Sequence, residues 1–166
     1  MIGFKPMDTF PRALAARTGF LLAQAHMAAR AKADKALDGI GLNMRGYAAL
    51  ATLVSDGPTS QQRLSERIRM DPATMVDVID GLEASGHIVR RRNPRDRREY
   101  ALEPTARGRA LYARADRALA EVEKKTLRGL DAREARTLMQ LLARIADGPL
   151  QLAAPVKRLE SLKARR

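Results

Sequence analysis

His87-Ile88-Val89-Arg90-Arg91-Arg92-Asn93-Pro94-Arg95-Asp96-Arg97-Arg98-Glu99 is the stretch on which the reading of this chain turns. It sets six arginines against two carboxylates over thirteen residues. Ile88 and Val89 lead in as β-branched residues, Asn93-Pro94 is a turn signal, and Tyr100-Ala101-Leu102 leads out. The pattern predicts a two-stranded ribbon with a strongly basic tip. Arginine stays charged, is planar, and can enter a groove or fork onto a phosphate. Behind a helix-turn-helix, such a ribbon would be a wing that grips DNA.

The residues upstream supply that context. Thr59 and Gln62 have capping-box spacing and open a short helix with Leu64 and Ile68 on one face and Arg63 and Arg67 on another. Asp71 suits an N-cap and Pro72 a first helical position, so a second helix starts after a very short turn and stops at Gly86. Helix, tight turn and helix make the helix-turn-helix pattern. In the second helix Met75, Val78, Ile79 and Leu82 converge on one face. The opposite face carries Ala73, Asp77, Asp80 and Ala84, flanked by Thr74, Val76 and Gly81.

Further helices flank this unit. Residues 8–38 read as one long helix, broken by Gly39-Ile40-Gly41. Asn43 can cap a helix from Met44 to Val54 with Tyr47, Leu50 and Val54 on one face. Thr105 caps a helix to about Leu127, striped by Leu111, Ala115, Leu119 and Val122. Asp131 and Glu134 open a last one, with Leu138, Leu141, Leu142 and Ile145 as its apolar face and Gly148-Pro149 as its end. The predicted fold is mainly α with a small β-wing: a winged helix-turn-helix module plus long helices.

Composition agrees. The chain has 166 residues, 45% of them apolar, enough for one domain with a real core, and only 4% are aromatic. Net charge is +12, from 31 Lys and Arg against 19 Asp and Glu, which favours a polyanionic partner. With no cysteine, disulfides and zinc–thiolate sites are excluded. Two histidines on different elements make no metal site, and neither a Ser–His–Asp pattern nor a Walker motif occurs. No catalytic residue, metal or cofactor is therefore expected. With no secretory pattern and no apolar run of the ~18 residues a span needs, a soluble, cytoplasmic protein is expected.

Leu64-Ser65-Glu66-Arg67, Gly81-Leu82-Glu83-Ala84-Ser85-Gly86-His87-Ile88-Val89-Arg90, Asp96-Arg97-Arg98 and Thr105-Ala106-Arg107-Gly108-Arg109 occur in the order and at the distances of one family. The chain resembles the MarR family of bacterial transcription regulators along nearly its whole length. The resemblance implies a single domain over 1–166, with a winged helix-turn-helix module over 42–104 and dimerisation helices over 8–38 and 105–166. It implies a homodimeric repressor on a palindromic operator in double-stranded DNA. The first helix and the last two carry more apolar face than one small module covers, which also asks for a partner.

Carried over by resemblance, Arg98 enters the minor groove and Asp96 orients the wing arginines; Arg95 and Arg97 are expected on phosphates, and Arg92 in the same DNA-binding set. Arg63 and Arg67 join it from the first helix of the motif, Ala73, Thr74 and Asp77 from the second. This chain departs from the family in having no Lys or Arg between Asp71 and His87. One reading has Asp77 accept a hydrogen bond from cytosine N4 while Ala73 or Thr74 meets a thymine methyl. The other has the aspartates pair with Arg63, Arg67 or wing arginines and read nothing. Pro104, where the family commonly has leucine, is a second departure.

Many relatives answer to small anionic aromatic effectors. His26, Arg30, Tyr47 and Tyr112 are the residues here that could line such a pocket. Tyr47 also suits the core, His26 an ordinary helix position and Arg30 a pair with Asp34. The competing functions are a nucleoid-type binder without sequence preference and a winged-helix protein-interaction module, both kept open by the acidic helix face.

Overall fold

The computed structural model describes residues 10–92 and 100–146. In chain order these form α1 (Arg12–Ala15), α2 (Thr18–Asp38), α3 (Met44–Ser55), β1 (Thr59–Ser60), α4 (Gln61–Ile68), α5 (Pro72–Ala84), β2 (Ile88–Arg92), β3 (Tyr100–Pro104), α6 (Ala106–Thr126) and α7 (Ala132–Ile145). The chain divides into two compact units, 1–125 and 126–166.

Local side-chain chemistry sets most helix starts. Asn43 Oδ1 accepts the Gly46 N–H at 2.8 Å, and Asp71 Oδ1 accepts the Thr74 N–H at 2.8 Å. Thr105 Oγ1 accepts the Gly108 N–H at 3.0 Å. Each satisfies a helix donor that would otherwise lack a partner. Hydrogen bonds from Thr74 hold the Asp71 carboxyl below its ordinary 3.8. Since that lowering favours the folded state only while the group is ionised, its stabilisation is present above 3.8 and lost as pH falls through the lowered value. Asp71→Ala should therefore lower the thermal midpoint at neutral pH, with the gap from the parent narrowing as the pH drops through the carboxylate range.

One apolar cluster organises the first unit. Leu37, Leu42, Ala49, Leu50 and Leu53 meet Leu64 of α4, Met75, Ile79 and Leu82 of α5, Ile88 and Leu102 of the sheet, and Leu111 and Ala115 of α6. The predicted inward face of α5 is thus buried, with Val78 half-buried beside it. Burying each of these larger side chains stabilises the fold by about 1.5–3 kcal/mol before chain entropy is counted.

At the wing base, α6 comes unusually near the chain. The His87 carbonyl accepts the Thr105 N–H at 3.0 Å, and Thr105 Oγ1 donates to the Gly86 carbonyl at 2.8 Å. Gly108 is buried one turn into α6, and a Cβ there would fall inside the van der Waals envelope of the His87 carbonyl oxygen.

In the second unit, α7 carries the predicted capping box. Asp131 Oδ1 accepts the Glu134 N–H at 2.8 Å and Glu134 Oε2 accepts the Asp131 N–H at 2.8 Å. Its apolar side chains Met139, Leu141, Leu142 and Ile145 are exposed.

Three expectations change. The long first helix is interrupted: α1 ends at Ala15 with Ala16 as its C-cap, and Arg17 is extended (φ −102°, ψ 116°) before α2. Thr18 and Gly19 are weak helix formers, and the break accompanies an edge-to-face contact of Phe10 with Phe20, centroids 5.0 Å apart. The capping box at Thr59–Gln62 does not form. Ser60 caps α4 instead, accepting the Arg63 N–H at 3.4 Å, because Thr59 and Ser60 pair with Leu102 and Ala101. That pairing turns the two-stranded ribbon into a three-stranded antiparallel sheet in the order β1-β3-β2.

Candidate nucleic-acid interface

The helix-turn-helix is built around a reciprocal bond. Ser65, buried in α4, donates its hydroxyl to the Met70 carbonyl at 2.5 Å, and the Met70 N–H returns to the Ser65 carbonyl at 3.0 Å. The chain reverses through Arg69, which sits in the left-handed region at φ 52°. A non-glycine residue costs roughly 1 kcal/mol there. Asp71 then restarts the chain as α5, leaving Ala73, Val76, Asp77, Asp80 and Ala84 exposed and Thr74 half-buried. The groove-facing side expected from periodicity is the observed exposed side.

The basic groups divide into engaged and open ones. Arg67 Nε lies 3.1 Å from Asp56 Oδ2 with both side chains well exposed, a pair worth little that leaves the guanidinium at the surface. Arg63 is exposed, with no ion pair among the described residues. Arg91 Nε lies 3.0 Å from Glu103 Oε2 across the β2–β3 pair. Arg92 ends β2 exposed, opposite Tyr100. Arg95, Asp96, Arg97 and Arg98 lie outside the described residues, as does the turn at Asn93-Pro94.

Arg90 behaves differently. Its Nη2 is 2.5 Å from Asp80 Oδ1 and its Nη1 bonds Glu83 Oε2. The Asp80 hydrogen bond, aided by Glu83, raises its pKa further and keeps it charged. One aspartate of the exposed α5 face is therefore paired with an arginine of β2, whereas Asp77 is exposed and has no ion pair among the described residues. Sequence reasoning passed over Arg90 as one of six similar arginines. The usable signal was Asp80 and Glu83, one turn apart near the end of the helix feeding the ribbon.

Of the four effector candidates, the structure brings two together. Tyr47 of α3 and Tyr112 of α6 stack with centroids 5.9 Å apart and planes at 22°. The Tyr47 hydroxyl donates to Asp116 Oδ1 at 2.9 Å, an acceptor not anticipated from sequence. Burial, then Asp116, pushes both tyrosine pKa values up, so both stay protonated. His26 and Arg30 lie exposed on α2, where Arg30 Nε meets Asp34 Oδ2 at 3.4 Å. Apart from these tyrosines, an open cavity of about 180 Å³ is walled by Leu42, Asn43, Asp77, Gly81, His87 and Leu111.

Known proteins are similar to this chain in sequence and fold. The MarR family model matches residues 42–100. A probable transcriptional regulator from Pseudomonas aeruginosa is 33% identical, with 80% of this chain and 98% of that one covered at a TM-score of 0.71. The chain belongs to the MarR family. Two further similar structures carry a bound partner. Rv2887 of Mycobacterium tuberculosis, a MarR family protein solved in complex with DNA, is 27% identical, covering 79% of this chain and 98% of that one at a TM-score of 0.66. CouR from Rhodococcus jostii RHA1, solved with p-coumaroyl-CoA, is 27% identical, covering 82% and 96% at a TM-score of 0.73. Curated transcriptional regulators match as well, the chain spanning 60% of the length of one and 93% of another. The expected mainly helical winged fold is therefore the observed one.

Proposed function

We propose that the protein is a DNA-binding transcriptional regulator, a homodimeric repressor that occupies a palindromic operator. The observation that carries this is the exposed side of α5, set on a helix-turn-helix and followed directly by the basic ribbon. Residues 42–104 act as the DNA-binding module, and the helices of 8–38 and 105–166 serve dimerisation. The exposed Met139, Leu141, Leu142 and Ile145 of α7 support a second copy as partner, because an apolar stripe of this kind gains by being covered. The two modules then engage successive major grooves, about 34–36 Å apart.

Arg63, Arg67 and Arg92 hold phosphates, and Arg95, Arg97 and Arg98, oriented by Asp96, grip at or beside the minor groove. Ala73, Thr74 and Asp77 face base edges. Asp77→Ala should change the preferred base at one position of each half-site, toward loss of a cytosine, with little change in overall affinity. Selection from a random duplex pool reads this directly, and identical preferences in both proteins would remove Asp77 from base reading.

A small effector bound beside Tyr47 and Tyr112 releases the DNA. The tyrosine pair, and the small molecule p-coumaroyl-CoA bound in the CouR structure, support such a site. The protein acts in the cytoplasm and catalyses no reaction; known relatives are regulators, and no helix among the described residues is long and apolar enough to cross a membrane. The same selection tests the whole reading. A palindromic consensus with half-sites one helical turn apart is the expected result. Enrichment of no sequence would favour a general binder, the alternative that the exposed Asp77 keeps in play.

A further inference from the structure

Carboxylates on the groove side of a recognition helix oppose DNA by simple charge. Asp80 nevertheless has a structural occupation. Arg90 Nη2 meets its Oδ1 at 2.5 Å and also reaches Gln61 Oε1 at 3.5 Å. Glu83 takes Nη1 on one oxygen and the Arg90 backbone N–H on the other, at 3.3 Å. A single guanidinium thus joins α5, the start of α4 and β2. Its side chain is 28% exposed, against 57% for Asp80 and 37% for Glu83, so the joint is partly shielded from solvent and salt. The fork geometry of arginine fixes direction as well as distance.

We propose that Asp80 and Glu83 are positioning residues: by holding Arg90 they set the angle of β2, and hence of the wing, against α5. This rests on the DNA-binding reading above. It reverses the expected sign of a substitution. On charge alone, Asp80→Asn removes a repulsive group, frees a guanidinium, and tightens binding to every duplex alike. If the carboxylate sets the wing angle, random DNA is bound more tightly while the selected site is bound less well.

The experiment measures the affinity of full-length parent, Asp80→Asn and Asp80→Glu for two duplexes across a salt series. One duplex is the best sequence selected by the parent, the other a scramble of it. Asp80→Asn should reduce the ratio of selected to scrambled affinity by about tenfold. Its salt slope on the scramble should steepen by about one, the value for one added phosphate contact. Asp80→Glu, which keeps the carboxylate, should recover most of the ratio. Asp80 is exposed, so the Asn variant should stay folded, and a purely structural role would shift the thermal midpoint without moving ratio or slope. An unchanged ratio, parallel change on both duplexes, or no recovery by Asp80→Glu overturns the proposal. A parent that binds the two duplexes alike overturns the reading as a sequence-specific regulator, and this one with it.

Discussion

Gly108→Ala should lower the unfolding free energy by about 3 kcal/mol, the upper range for forcing one carbon into a packed interior. The new Cβ would meet the His87 carbonyl oxygen, which is backbone and cannot swing aside as a long side chain could. That carbonyl already accepts the Thr105 N–H at the start of α6. Relief requires moving α6 off the wing base, which breaks that bond and disturbs Leu111, buried one turn on. Urea denaturation at fixed protein concentration measures the loss. Gly81→Ala is the matched control. Gly81 lies inside α5, and a Cβ there meets nothing within 4 Å. It should stabilise by roughly 0.5–1 kcal/mol through helix propensity. Equal effects at the two glycines would contradict the close approach at Gly108.

Arg98→Ala should weaken binding to the selected operator by about 10- to 100-fold at physiological salt, the range for losing one well-placed arginine. Arg90 is held by Asp80 and Glu83, and α5 has no basic residue of its own. Attraction then falls to exposed arginines, among them Arg63 and Arg67 on α4, Arg69 in the turn, Arg91 and Arg92 on β2, and to the arginines between β2 and β3 in the sequence. Arg98 has the position that the family resemblance assigns to the minor groove, where negative potential is concentrated in narrow tracts. Arg98→Lys should recover little, because an ammonium is more strongly hydrated than a guanidinium. Fluorescence anisotropy on parent and variants decides the matter, and normal binding by Arg98→Ala would make the ribbon a solvated hairpin.

What the sequence revealed was local. Asn43, Asp71-Pro72, Thr105 and the Asp131–Glu134 box sit beside the N–H groups they satisfy, and all four helix starts are found where those residues put them. The inward face of α5 was legible because apolar spacing and burial share one period. Features made by distant partners were hidden. β1 is two residues long and exists only through pairing with β3, so Thr59 looked like a cap. The break at Ala16–Arg17 goes with Phe10 resting on Phe20. Pairing of the α5 aspartates with Arg63, Arg67 or a wing arginine was one of two open readings; that Asp80 takes Arg90 while Asp77 stays exposed depends on the fold. The close approach that makes Gly108 a glycine leaves no trace in composition or spacing.

The short strand β1 also orders events in time. Thr59 finds its partner only at Leu102, and Leu64, Met75 and Ile79 share their cluster with Leu102 and with Leu111 beyond it. During synthesis the helix-turn-helix therefore leaves the ribosome before the strand that closes it. Until Pro104 has emerged, its apolar faces are open to solvent, to chaperones and to neighbouring nascent chains. A chain interrupted inside the arginine-rich ribbon would lack Leu102 and Leu111 and leave the apolar cluster of the helix-turn-helix unclosed.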